Sequence, residues 1–264
     1  MVSICMTVGL TSCLSSSEVD VRKAKQLLGE KKPLEAAILY SRVANRAGVK
    51  ADAYAAEAAF EAARIYQYDI KDFEKAVQHY RQVIRLSDKA DLRRESQSKL
   101  SSILFYDLQD FAGAVIEYSK LLALQHTMDE EIEWRSRIAK AYYYQGDYFQ
   151  SKIEVDKALQ LPLSEEALYQ AQLLKANIAI GAREHEEAAK VLEQMIAKFP
   201  ERAKKDSLSL MLAVAFEEQR NFAKAIETLE RIRSFDSRKA FIEEKIQSLK
   251  ERQGQQPGAR GFKK

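Results

Sequence analysis

Three histidines and two cysteines are the most reactive side chains in this sequence of 264 residues. His79, His126 and His185 lie far apart along the chain, so no local pair of imidazoles forms a metal site. Glu184-His185-Glu186-Glu187 offers one imidazole among carboxylates. It lacks the second histidine four residues on that a zinc-binding helix needs on the same face. No glycine-rich phosphate loop is present, and no serine, histidine and acid set has a distinctive local context. Glu130-Glu131 and Glu186-Glu187 fit solvated helix faces better than a general acid and base pair. The expectation is a non-enzymatic chain with no catalytic residue, no metal and no cofactor.

Cys13 is the one position with a specific reaction attached to it. The mostly apolar stretch Val2–Leu10 runs into Leu10-Thr11-Ser12-Cys13, which fits the bacterial lipobox. There a signal peptidase cuts before a cysteine whose thiol forms a thioether to diacylglycerol, and small residues before the cut fit the peptidase. Leu14-Ser15-Ser16-Ser17 then reads as a tether, so residues 1–17 are expected to be signal and tether, with lipid attached at Cys13. No Lys or Arg occurs before Arg22, so the usual positive n-region is missing. A start codon assigned too far downstream would account for this and for the short apolar run. With Cys5 removed by cleavage, no thiol remains for a disulfide framework. Elsewhere the sequence has nothing long and apolar enough to cross a bilayer. The expected place is the periplasmic face of the outer membrane; the competing reading is a soluble cytosolic adaptor with no lipid.

The elements that position everything else follow from a repeat. Small residues at Ala36, Ala76, Ala114, Ser151, Ala188 and Ala225, each followed about four residues on by an apolar residue, recur at intervals of 40, 38, 37, 37 and 37 residues. A second small series, Ala24, Ala63, Ser102, Ala139, Ala176 and Ala213, precedes it by 12 or 13 residues. Such a period means stacked two-helix units, with small side chains where the paired helices approach closely. Between the two series come Asp72-Phe73, Asp110-Phe111, Asp147-Tyr148 and Asn221-Phe222, an acid or amide to cap the second helix and an aromatic to pack back on the first. The first copy departs, with Leu27 for the first-helix aromatic and Lys31-Lys32-Pro33 for the turn. The fifth has Glu184-His185 at its turn and Phe199-Pro200 at its close. One extra residue between Ala63 and Ala76 predicts a slightly longer turn in the second copy.

The fourth copy, Ala139 through Leu161, with Tyr142, Gly146-Asp147-Tyr148 and Ser151, resembles the tetratricopeptide repeat almost residue for residue. The expected fold is all-α: a right-handed solenoid of about six hairpins over residues 18–235, a capping helix over 236–253 and a disordered basic tail over 254–264. The cap is amphipathic, with Phe241, Ile242, Ile246 and Leu249 expected on its core side. Four prolines, nine glycines and 31% charged residues agree with a helix-rich body.

The resemblance implies that first helices line a concave face. Register then places Phe60, Arg64, Tyr68, Lys99, Tyr106, Lys140, Tyr143, Tyr144 and Asn177 there, with Ile103, Leu210 and Val214 at equivalent positions. Tyrosines mixed with cations suit an extended or helical segment of a partner protein, since tyrosine gives contact area at low entropic cost. The pattern does not match the carboxylate clamp of chaperone-binding members, because Lys99 is followed by Ile103. Trp134 is expected to pack between repeats. A net charge of +3, with Arg93-Arg94 and Lys204-Lys205 isolated, argues against nucleic acid. Lipobox and repeats together resemble two kinds of outer-membrane lipoprotein, the β-barrel assembly subunit and the pilotins. Either resemblance implies a lipid-tethered scaffold that holds protein partners.

Overall fold

The computed structural model describes residues 16–46, 54–234 and 236–255; Cys13 and the chain beyond Gln255 lie outside them. Among the described residues are fourteen α-helices and no strand. They are α1 (Ser16–Gly29), α2 (Pro33–Asn45), α3 (Ala55–Ile65), α4 (Phe73–Leu86), α5 (Ala90–Tyr106), α6 (Phe111–Leu122) and α7 (Met128–Tyr144). There follow α8 (Tyr148–Leu159), α9 (Glu165–Gly181), α10 (His185–Lys198), α11 (Pro200–Lys205), α12 (Leu208–Glu218), α13 (Phe222–Ile232) and α14 (Lys239–Gly254). They fall into two compact units, one ending at Leu121 and the other starting at Leu122.

The first unit holds the hairpins α1/α2, α3/α4 and α5/α6; the second holds α7/α8, α9/α10 and α12/α13, followed by α14. Ala36, Ala76, Ala114, Ser151, Ala188 and Ala225 are all fully buried, as are Ala24, Ala63, Ala139 and Ala176. At these points any larger side chain would separate two helices. Ser102 is the exception in the first-helix series: it is only half-buried, while the adjacent Ser101 is fully buried and bonds to the Gln97 carbonyl.

Every hairpin turn uses the same backbone device. Lys31, Lys71, Gln109, Gly146, Arg183 and Arg220, each one residue before the residue that opens the second helix, have positive φ between 52° and 77°. The left-handed residue lets the next amide reach back to a free carbonyl at the end of the first helix. Lys32, Asp147, Glu184 and Asn221 do so through bonds of 2.8–2.9 Å to the carbonyls of Leu27, Tyr142, Ala179 and Phe216. Capping then starts the second helix: the side chains of Asp72, Asp110, Asp147 and Asn221 accept from the amides of Lys75, Gly113, Gln150 and Lys224.

The extra residue of the second copy does not lengthen its turn. It is absorbed as a π-helical turn over Tyr66–Ile70, so the Asp72 amide bonds to the Tyr66 carbonyl, six residues back instead of five. The sixth copy departs too. The segment before its second helix is broken into α11 and α12 at Ser207, which has φ 61°. Tyr169 explains the break: its hydroxyl donates to Asp206 at 2.6 Å, and the Arg202 guanidinium stacks 3.8 Å above its ring. Pro200, expected to close the fifth repeat, occupies the first turn of α11, where its missing amide costs nothing.

α14 covers the end of the second unit with Ile242, Ile246 and Leu249 buried. Phe241, expected beside them, is 54% exposed. Buried Glu217 of α12 anchors the helix through Lys245 at 2.8 Å and through Arg252.

Candidate functional site

The first helices place the residues picked out by register in two groups, one in each unit. In the first unit, Phe60 lies edge-on to Tyr80 at 5.9 Å and is half-buried, and Arg64 is exposed with Glu61 3.4 Å away. The π turn displays Tyr68, 49% exposed, whose hydroxyl lies 3.2 Å from the Lys99 ammonium. Tyr106 is exposed and meets Phe105 edge-on at 4.9 Å. Ile103, at the register position equivalent to Arg64 and Lys140, is fully buried. Its sequence position was right for the series, but on α5 this side chain is buried together with Leu100, Leu104 and Phe105 of the same helix.

In the second unit, Lys140 is half-buried on α7 and makes no ion pair among the described residues. Burial, with the nearby Arg137 charge, holds its ammonium below the ordinary lysine value. Tyr143 packs against Tyr144 at 5.7 Å and against the turn residue Tyr148 at 5.9 Å, leaving Tyr144 exposed. Trp134 is buried against His126, a packing role.

Asn177 opens onto a largely apolar hollow in this unit, about 590 Å³, within the size range of ligand sites. Its apolar lining comes from Ile180 of α9, Leu210, Met211 and Val214 of α12, and Phe241 and Leu249 of α14. Leu210 and Val214 are the register positions assigned from sequence; the contribution of α14 was not. Its signal was Phe241, the one apolar residue of the set Phe241, Ile242, Ile246 and Leu249 that stays exposed. The histidines are dispersed: His79 is buried and stacked on Tyr66, and His185 is half-buried, with its carbonyl accepting from Gln219.

Helical hairpins with close small-residue contacts, left-handed turns and capped second helices define the tetratricopeptide-repeat fold. Family models described as tetratricopeptide repeat match residues 57–89 and 179–240. No curated protein matches the chain. A tetratricopeptide repeat protein from Parabacteroides merdae is similar at 16% identity and TM-score 0.51, with 89% of this chain and 88% of that one covered. PilW, described as a type IV pilus biogenesis factor, is similar at 15% identity and TM-score 0.51, covering 87% and 99%. The apo form of RapI is similar at 15% identity and TM-score 0.56, covering 90% and 71%. At these identities the likeness is one of fold. Repeats of this kind indicate a scaffold for protein–protein interaction, and proteins built from them are generally non-enzymatic.

Proposed function

We propose that the protein is a non-enzymatic scaffold, held at the periplasmic face of the outer membrane by acyl chains on Cys13, whose first-helix face holds a segment of a partner protein during assembly of an envelope complex. The hollow at Asn177, Leu210, Val214 and Phe241 carries the binding part of this reading. It leaves Val214 and Phe241 about half exposed to solvent, which apolar side chains tolerate best when a partner covers them. The anchor rests on Leu10-Thr11-Ser12-Cys13. Ser16 is three residues after Cys13, so a lipid on Cys13 would keep the start of α1 within about 10 Å of the bilayer surface. The described role of PilW, a pilus biogenesis factor, is of the same kind.

The test is the intact mass of the protein extracted from membranes after expression with its genomic upstream region. The expected species starts at Cys13 and carries acyl chains. An unmodified chain recovered from the cytosol would overturn the anchor and the envelope setting, and would favour a cytosolic adaptor.

A further inference from the structure

Each second helix has two outward positions, two residues before and two residues after its buried small residue. The second copy fills them with Glu74 and Gln78 and the fifth with Glu186 and Lys190, all exposed, so the fold requires no apolar group at either place. The first copy has Leu34 and Ile38 there, 53% and 49% exposed. They lie one turn apart on α2, and exposed Arg42 follows a turn later, so the three form a stripe about 12 Å long on one face. Exposed Lys31 stands in the turn at the other end of the stripe. Neither Lys31 nor Arg42 makes an ion pair among the described residues, and Glu35, the one acid of α2, lies beside the Lys32 charge. The fourth copy also has large apolar residues at the two positions, Phe149 and Ile153. There, however, Gly146 stands where Lys31 does, and Lys157, in the place of Arg42, is paired with Glu154 at 2.6 Å. The stripe of the first copy begins beside the tether. Arg46, one turn beyond Arg42, donates to the Ser16 hydroxyl at 2.9 Å and pairs with Asp20 at 2.8 Å, so this end of α2 lies against the start of α1.

We infer that the outer face of α2 is a docking surface for an anionic phospholipid bilayer, with Leu34 and Ile38 in the membrane interface and Lys31 and Arg42 on the headgroups. The inference rests on the lipid at Cys13 in the proposed function and specifies which face of the first hairpin that lipid brings down. Apolar side chains with cations at both ends are the pattern of a helix that lies in the interface plane. Long Lys and Arg stems reach the headgroups while the apolar pair sits deeper, and each cation at an anionic surface strengthens binding about fivefold. Two apolar side chains alone hold a protein weakly. Beside an acyl anchor they act at high local concentration of lipid, so they orient the first hairpin, with α2 lying along the bilayer.

Cys5→Ser leaves Cys13 as the single thiol of the full chain, and coupling it to a maleimide-bearing lipid supplies the tether whether or not cells lipidate this residue. Ile38→Trp, or Gln78→Trp at the same register position of α4, then reports on vesicles of phosphatidylglycerol with brominated acyl chains, above the constant emission of buried Trp134. Emission from Ile38→Trp is expected to be quenched about twofold or more relative to Gln78→Trp. Adding Lys31→Gln with Arg42→Gln, or Leu34→Glu, should bring it back to the Gln78→Trp level, and raised salt or brominated phosphatidylcholine should weaken the quenching. Equal quenching at the two positions, or quenching that none of these changes reduces, overturns the docking surface. Quenching here with an unmodified Cys13 in cells supports the surface and overturns only the anchor; no quenching here with a lipidated Cys13 in cells does the reverse. Sedimentation of the untethered full chain and a photo-crosslinking residue at Ile38 in cells are run alongside. A dimer lost in Ile38→Glu, or a protein captured from Ile38, in either case without quenching, gives the face to a second copy or to a protein partner and overturns the assignment to lipid.

Discussion

The Ser151 hydroxyl donates a 2.6 Å hydrogen bond to the carbonyl of Ala139, so the two small residues that mark the fourth hairpin are tied directly to each other. Both are fully buried, which leaves no room for growth at either. Ser151→Ala should cost about 1 kcal/mol, the worth of one buried hydrogen bond. Ser151→Leu should cost more, about 1–3 kcal/mol or above, because it forces α7 and α8 apart. Urea denaturation of the two variants checks both the order and the size.

The six left-handed turn residues give a cleaner prediction. Only Gly146 adopts this conformation without a Cβ penalty, and nothing lies near enough to clash with a side chain added there. Gly146→Ala should therefore destabilise through backbone strain alone, by about 1 kcal/mol. Arg183→Gly and Arg220→Gly should do the reverse, each gaining about 0.5 kcal/mol after the entropy of the new glycine is counted. Opposite shifts in melting temperature for the two classes would confirm the account.

Gly181 is constrained for a different reason. A Cβ there would sit 2.6 Å from the ring of Tyr148, the turn aromatic of the preceding hairpin. Gly181→Ala should destabilise by about 1–3 kcal/mol, and Tyr148→Leu should recover part of the loss. A double-mutant cycle measures that coupling.

His79 makes stability depend on pH. It is buried on α4, with Nε2 2.9 Å from the Ser41 hydroxyl of α2 and Nδ1 3.2 Å from the Gln82 side-chain oxygen. The Tyr66 ring is stacked on it, with the Lys75 ammonium near that ring. Burial lowers its pKa below the ordinary histidine value. The unfolded chain thus takes up the proton first, and stability present above about pH 6.5 declines as the pH falls from there through the folded value. Denaturation midpoints at neutral and mildly acidic pH should fall less in His79→Gln than in the wild type.

Much of this architecture was legible in the sequence because a repeat states each rule six times. The small residues other than Ser102, the Asp or Asn caps and the aromatic after each cap stand where the spacing put them. What the pattern missed were places where tertiary contacts overrode register. Tyr169 pulls Asp206 and Arg202 toward it and splits the sixth first helix, a contact across 37 residues that no local pattern shows. Phe241 belongs to an apolar stripe too wide for α14 to bury, so it turns to the hollow beside Val214 instead of the core. Among the candidate site residues, register located the first-helix side chains but could not tell that Ile103 faces inward to the core, or that an added residue would display Tyr68 on a π turn.

The central claim, that the first-helix face holds the partner, is tested most directly by a photo-crosslinking residue placed at Val214, at Tyr144 or at Phe149 in cells. Val214 and Tyr144 stand on first helices, while Phe149, 72% exposed, stands on the second helix α8. The account predicts one partner captured from both Val214 and Tyr144 and not from Phe149. Capture from Phe149 with neither first-helix position labelled would contradict it.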